Sequence, residues 1–207
     1  MNRKYKATLI LIVISLLVFN FSLSALGNKE YTAEPIGSVS AEQPKKEASE
    51  ASEASYPPKG WVTNISDAYK MAQADDKQIL LNFTGSDWCV WCKKLSKEVF
   101  TTDEFQEFAD KNLVLLFLDF PGSIELSEQQ VYHNQLIAQL MGVQGYPSIW
   151  LLDKDFNPIM VTGYREGGAG EYIRHLMEDL PDVSTEERNA FRISFTEAIE
   201  ANLGSLK

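Results

Sequence analysis

The chain has 207 residues, 44% of them hydrophobic and 11% aromatic, enough for one packed domain with extensions. Its formal net charge is −10, and a surface this acidic repels phosphate backbones, which argues against nucleic acid as a partner. Only two cysteines are present, Cys89 and Cys92, and a bridge between them closes too small a loop to act as a structural staple.

The amino terminus reads as an address. Arg3, Lys4 and Lys6 precede an apolar run from Leu9 to Val18, and small residues follow at Ser22, Ser24 and Ala25. This is the pattern of a signal peptide over residues 1–25. The stretch from Ala7 to Leu26 also approaches the ~20 residues that span a bilayer, so an uncleaved membrane anchor is the alternative. No cysteine follows the run, which argues against a lipoprotein anchor. Either way the rest of the chain is expected in an exported compartment, the periplasm.

Residues 26–60 read as a disordered linker. Three tandem Glu-Ala-Ser units run from Glu47 to Ser55, with Pro35, Pro44, Pro57 and Pro58 around them and almost nothing apolar to bury. Globular composition begins at Trp61. Ser66 is expected to cap a helix through Asp67, Ala68, Met71 and Ala72 that ends before Asp75-Asp76. Gln78 to Phe83 is a short apolar run, the pattern of a buried strand, and Thr84-Gly85-Ser86-Asp87 is a turn. A helix should start at the cysteines and carry Leu95 and Val99 inward. A short helix is expected over Asp103 to Asp110. Leu113 to Phe120 is a second strand, apolar on both faces. Glu128 to Met141 is helical in period, with Val131, Leu136, Ile137 and Leu140 available to the core.

A third strand, Ser148 to Leu152, follows Gly145-Tyr146-Pro147. A turn at Asp153 to Asn157 leads into the returning strand Pro158 to Thr162. Glu171 to Leu180 is a helix, and Ser184 starts a final one. Alternating helices and strands followed by an antiparallel hairpin imply an α/β fold, a central mixed sheet flanked by helices. Residues 61–181 would form this domain, and 182–207 an added C-terminal helical extension of unknown docking.

Cys-x-x-Cys serves several chemistries. A zinc site normally needs four ligands, and no second pair exists here; His133 and His175 lie in unrelated segments. No metal and no cofactor are expected. The pair follows a buried strand and a turn, at a helix start, where unpaired N–H groups and the helix dipole stabilise a thiolate on Cys89. Cys92 lies one turn further in, shielded from solvent. Cys89 is therefore the expected nucleophile and Cys92 the resolving thiol, with a Cys89–Cys92 bridge in the oxidised state.

Phe83-Thr84-Gly85-Ser86-Asp87-Trp88-Cys89-Val90-Trp91-Cys92-Lys93 resembles the strand–Trp-Cys-x-x-Cys-Lys–helix core of the thioredoxin superfamily. Gly142-Val143-Gln144-Gly145-Tyr146-Pro147-Ser148 resembles its second signature, the loop ending in a cis-proline. The resemblance covers about residues 61–180. Within the superfamily, Gly-Ser-Asp-Trp-Cys-x-Trp-Cys and Asp119-Phe120-Pro121 are similar to the DsbH-like exported disulfide reductases, and more distantly to the carboxy-terminal domains of DsbD type.

The resemblance implies a thioredoxin-like fold and disulfide reduction outside the cytoplasm, fed by a membrane electron donor, with disulfide-bonded proteins as substrates. It implies a cis Tyr146–Pro147 bond, so that Tyr146 offers its backbone to an incoming peptide. Trp88 would lie in the docking surface beside the nucleophile, or else in the core. Trp91, between the cysteines, should be exposed and touch substrate. One departure stands out. Thioredoxins carry a buried aspartate on the strand before the motif, and here that position is Asn82, which cannot exchange a proton. Glu98 and Asp119 are the acids in plausible reach of Cys92.

Direction follows from thiolate stabilisation: strong oxidants have a very low nucleophile pKa. Val90 and Trp91 bring no positive charge between the cysteines, and Asp87 opposes a thiolate, while Lys93 and Lys94 favour one from outside the dipeptide. The balance points to a moderately reducing couple in a monomeric enzyme. A thiol oxidase or isomerase, a binding module with incidental cysteines, and delivery of thiols to one client such as an apocytochrome are the competing readings.

Overall fold

The computed structural model describes residues 56–178 and 184–206. The expected signal peptide and most of the expected linker lie outside them. Among the described residues no helix is long and apolar enough to cross a membrane.

The elements run β1 (Trp61–Val62), α1 (Ile65–Asp75), β2 (Gln78–Thr84), α2 (Val90–Leu95), α3 (Asp103–Asn112), β3 (Leu113–Asp119), α4 (Glu128–Leu140), β4 (Ser148–Leu152), β5 (Pro158–Thr162), α5 (Gly168–Glu178) and α6 (Thr185–Leu203). A single wide turn, Ser96–Phe100, continues α2 with π-helical spacing. The five strands form one sheet in the order β1-β3-β2-β4-β5. β1, β3 and β2 are parallel; β4 runs antiparallel to β2, and β5, antiparallel to β4, returns to the direction of the other three. This is the thioredoxin-like arrangement of a mixed sheet with helices on both faces, including a C-terminal one.

The period of two along each strand divides the core. Ile79, Leu81, Phe83, Leu116, Leu118 and Trp150 face α1, α4 and α6, whose Ile65, Ala68, Ile137, Phe191, Phe195 and Ile199 complete that cluster. Leu80, Leu113, Leu115, Phe117, Ile149 and Leu151 face the other way, onto Leu95 and Val99 after the cysteines, Phe105 and Ala109 of α3, and Tyr172 and Leu176 of α5. The C-terminal extension is thus part of the core: Phe191 stacks on Trp150 at 6.2 Å, and Phe195 meets Phe156 edge-on at 5.3 Å.

Two sequence expectations need correction. Asn64, not Ser66, caps α1; its Oδ1 accepts from the N–H groups of Ser66 at 2.8 Å and Asp67 at 3.4 Å. In α4 the inward face is rotated, so Val131 is 38% exposed while His133 and Asn134 are buried. His133 Nε2 accepts from the Ile65 N–H at 3.0 Å, and its Nδ1 lies 3.0 Å from Asn134 Oδ1. Asn134 Nδ2 in turn donates to the Asp119 carbonyl at 2.8 Å. These bonds between distant segments offset the loss of hydration that would otherwise keep such residues out of a core.

β2 and β3 are in register from Gln78↔Leu113 to Thr84↔Asp119, so both end at one level. β4 starts at that same edge, with Ser148 opposite Phe83. Three connections therefore meet there: the Gly85–Cys89 turn, the segment after Asp119, and the loop ending at Pro147.

Candidate active site

The turn before the cysteines is closed by its own backbone, with the Cys89 N–H donating to the Gly85 carbonyl at 2.8 Å. It is also fastened to the β3 exit by three successive side chains. Ser86 donates to Asp119 through its N–H (2.9 Å, to Oδ1) and its hydroxyl (2.6 Å, to Oδ2). Asp87 accepts from the N–H groups of Gly122, at 2.8 Å, and Ser123. Trp88 Nε1 donates to the Phe120 carbonyl at 2.7 Å. The Gly122 N–H foremost holds the Asp87 carboxyl below its usual range.

Cys89 and Cys92 form a disulfide, with sulfurs 2.08 Å apart. Cys89 has extended backbone and occupies the N-cap of α2, and its sulfur accepts the Cys92 N–H at 3.1 Å. A cysteine at this position receives an otherwise unsatisfied helix donor, which favours a thiolate when the bridge is reduced. The sulfurs differ in bonding more than in exposure. Cys89 is 6% exposed and Cys92 5%, so the shielding expected for Cys92 applies to both.

Around the disulfide the surface is aromatic. Trp88 is 52% exposed and Trp91 54%. Trp88 therefore lies on the surface, its ring edge-on to Tyr146 at 5.9 Å. Tyr146 stacks on Phe120 at 5.1 Å, and burial raises its hydroxyl pKa. The Tyr146–Pro147 peptide is cis, as the resemblance implied. On the other flank, Trp91 tilts against Tyr164 at 5.2 Å. The Lys94 ammonium stands 5.4 Å from the Trp91 ring and 4.8 Å from Tyr164. Composition gave no sign of Tyr164, which lies 73 residues from Trp91 along the chain and joins it only because β5 ends beside α2.

The two acids considered for Cys92 have other partners. Glu98 accepts from the Tyr164 hydroxyl at 2.6 Å and lies 3.8 Å from the Lys94 ammonium. Asp119 is taken up by Ser86. Asn82 is buried on the sheet face that carries α2, the same face as Leu80, and among the described residues its Oδ1 has no hydrogen-bond partner. Among the described residues no group of three His, Cys, Asp or Glu side chains could hold a metal ion.

Residues 60–154 match the thioredoxin-like family. Over this segment the chain is similar to that family, and its fold is thioredoxin-like. This thioredoxin-like chain is 32% identical over 110 residues to the disulfide bond reductase DsbH of Chlamydia pneumoniae, covering 53% of itself and 66% of that protein. It is 29% identical over 109 residues to the thiol:disulfide interchange protein DsbD of Yersinia pestis, covering 51% of itself and 16% of that protein. The match thus spans just under two thirds of the first relative and a small part of the second. Among solved structures, a DsbH oxidoreductase superposes with a TM-score of 0.53 at 28% identity, over 62% of this chain and 92% of that one. The cysteine pair of the thioredoxin-like domain lies inside the matched family region.

Proposed function

We propose that this protein is an exported thiol–disulfide oxidoreductase that reduces disulfide bonds of periplasmic proteins. The observation that carries the reading is the disulfide itself: Cys89, at the N-cap of α2, is bridged to Cys92 between two exposed tryptophans. The DsbH and DsbD relatives, named for disulfide reduction and thiol:disulfide interchange, support it.

The cycle begins with the bridge reduced. The Cys89 thiolate attacks one sulfur of a substrate disulfide, forming a mixed disulfide and releasing the substrate's other sulfur as a thiolate, which takes up a proton. Cys92, losing its proton, then attacks the Cys89 sulfur. The second substrate thiol leaves, and the Cys89–Cys92 bridge is restored. Two electrons have passed to the substrate, and a membrane electron donor of thiol-reductase type would return two to the pair. Trp88, Trp91, Tyr146 and Pro147 form the surface on which the substrate chain docks.

Reduction of insulin disulfides with dithiothreitol as donor tests the reading. Wild type should turn over and Cys89→Ser should not. Equal, background rates for both would overturn it in favour of a binding module. Equilibration with glutathione tests the direction: a potential near ~−120 mV, the strong-oxidant end of the range, would overturn the reductase assignment.

A further inference from the structure

Asp119 is 1% exposed, yet no Lys, Arg or His forms an ion pair with it among the described residues. A buried carboxylate without a cation is costly and persists only when fixed dipoles hold it. Here both oxygens accept from one residue, Ser86, at 2.9 and 2.6 Å. The Tyr56 hydroxyl is a further partner of this carboxyl, and the Tyr56 ring rests edge-on against Phe117 at 5.9 Å. The main chain of Asp119 is pinned as well, by Asn134 on its carbonyl. Ser86 in turn belongs to the turn that the Gly85–Cys89 backbone bond closes. A fixed negative charge is thus coupled through one residue to the turn that ends in the attacking sulfur.

The other charges near this turn are differently placed. Asp87 directs its carboxylate to Gly122 and Ser123, on the partly solvated side. Lys93 is exposed and donates to the Asp87 carbonyl. Lys94 and Glu98 face each other and Tyr164 on the far flank of α2. Solvent screens such groups, whereas the field of a buried charge is carried through a low-dielectric interior.

We propose that Asp119 is a positioning residue that opposes the Cys89 thiolate, acting through Ser86, and so keeps the cysteine couple reducing. This deepens the oxidoreductase reading and rests on Cys89 being the attacking thiol. In the superfamily pattern the buried acid precedes the motif, where this chain has Asn82. Here the buried negative charge stands instead on the neighbouring strand, at Asp119. A thiolate that is disfavoured makes the dithiol less stable relative to the disulfide, which lowers the reduction potential. Tyr56 modulates the effect, since its hydroxyl offsets part of the carboxylate charge.

The test is an equilibrium measurement on the full chain, without substrate: titration of the Cys89 thiolate by its ultraviolet absorbance, and the equilibrium constant with glutathione. Asp119→Asn keeps the shape and an acceptor for the Ser86 N–H but removes the charge. It should lower the Cys89 pKa and shift the constant toward the dithiol by roughly tenfold, ~30 mV for a two-electron couple. Tyr56→Phe leaves the charge and removes a donor, so both quantities should move the opposite way. A purely structural role cannot give shifts of opposite sign. An Asp119→Asn protein that folds and titrates like wild type would overturn the proposal. If that variant does not fold, a Tyr56→Phe protein with an unchanged or lowered Cys89 pKa would overturn it. Either failure leaves wild-type insulin reduction intact, whereas a wild type without turnover sinks the functional reading and leaves these titrations standing.

Discussion

The indole of Trp88 fills the space that a side chain on Gly85 would need: a Cβ there would stand 2.4 Å from Trp88 Cε2. The contact holds the ring where its Nε1 reaches the Phe120 carbonyl at 2.7 Å and its edge meets Tyr146. The first prediction follows from it. Gly85→Ala forces the ring away, breaking that bond and the aromatic contact. Overpacking of this kind costs about 1–3 kcal/mol. Urea unfolding followed by tryptophan emission should show the loss, and slower insulin reduction should accompany it. A variant as stable and as fast as wild type would show that Gly85 is not required by Trp88.

The second prediction concerns Trp91. It is exposed and braced by Tyr164 and Lys94, and among the described residues its indole N–H has no hydrogen bond like the one that holds Trp88. An aromatic so placed is suited to anchoring a partner, and truncating such an anchor commonly costs more than 1 kcal/mol. Trp91→Ala should therefore raise KM for insulin on the order of tenfold, about 1.4 kcal/mol. The rate with glutathione, too small to use the aromatic surface, should stay within about twofold of wild type in the same comparison. Equal losses with both substrates would place the effect on the sulfurs instead of on docking.

His133 sets a pH dependence. Burial lowers its pKa below the ordinary 6.5, and as an acceptor from the Ile65 N–H it must be neutral at Nε2. The unfolded chain then binds a proton that the folded chain does not. The stabilising contribution is complete above about pH 6.5 and is lost as pH falls through that value toward the lowered folded pKa. Tm should fall between pH 7.5 and pH 5, and less steeply in His133→Gln. Parallel Tm profiles for the two proteins would contradict this account.

Local chemistry made much of the fold legible. Ser148–Leu152 and Pro158–Thr162 were readable to the residue because turn residues bracket them. The start of α6 was readable because Ser184 and Glu187 form a capping box within four residues. Long-range partners were not legible. The rotation of α4 depends on His133 reaching an N–H 68 residues away, and a helical period cannot register that. The site follows the same division. Cys89, Cys92 and the loop at Pro147 announce themselves by spacing and neighbours. Tyr164 beside Trp91 and Asp119 beneath Ser86 depend on which strands end together. β1 has two residues, Trp61–Val62, too short for any period to show.

The C-terminal helix yields a fourth prediction. Phe195 is fully buried, stacked on Phe191 at 5.4 Å and edge-on to Phe156. Phe195→Ala should destabilise the domain by about 3–5 kcal/mol, the range for a core phenylalanine. Chemical denaturation of the oxidised protein measures it. A loss below about 1 kcal/mol, as for a surface site, would mean that α6 is an appendage and not part of the core.

The last prediction turns on Asn82. Its Oδ1 is buried without a partner among the described residues, a state that costs about 1–3 kcal/mol relative to a satisfied or apolar group. Leucine has nearly the same shape, and Leu80, Leu95 and Ile149 already line that face of the sheet. Asn82→Leu should therefore stabilise the oxidised protein by about 1 kcal/mol, read as a higher urea midpoint. Such a retained cost is expected near a working site, where stability and activity conflict. The reduced protein discriminates further. Reduction gives the buried Cys92 an S–H donor on the neighbouring α2, and an amide oxygen is an acceptor for it. If Asn82 serves that thiol, the gain from leucine should shrink or vanish on reduction, and release of the mixed disulfide should slow. An equal gain in both redox states would make Asn82 a site of local strain with no part in the exchange.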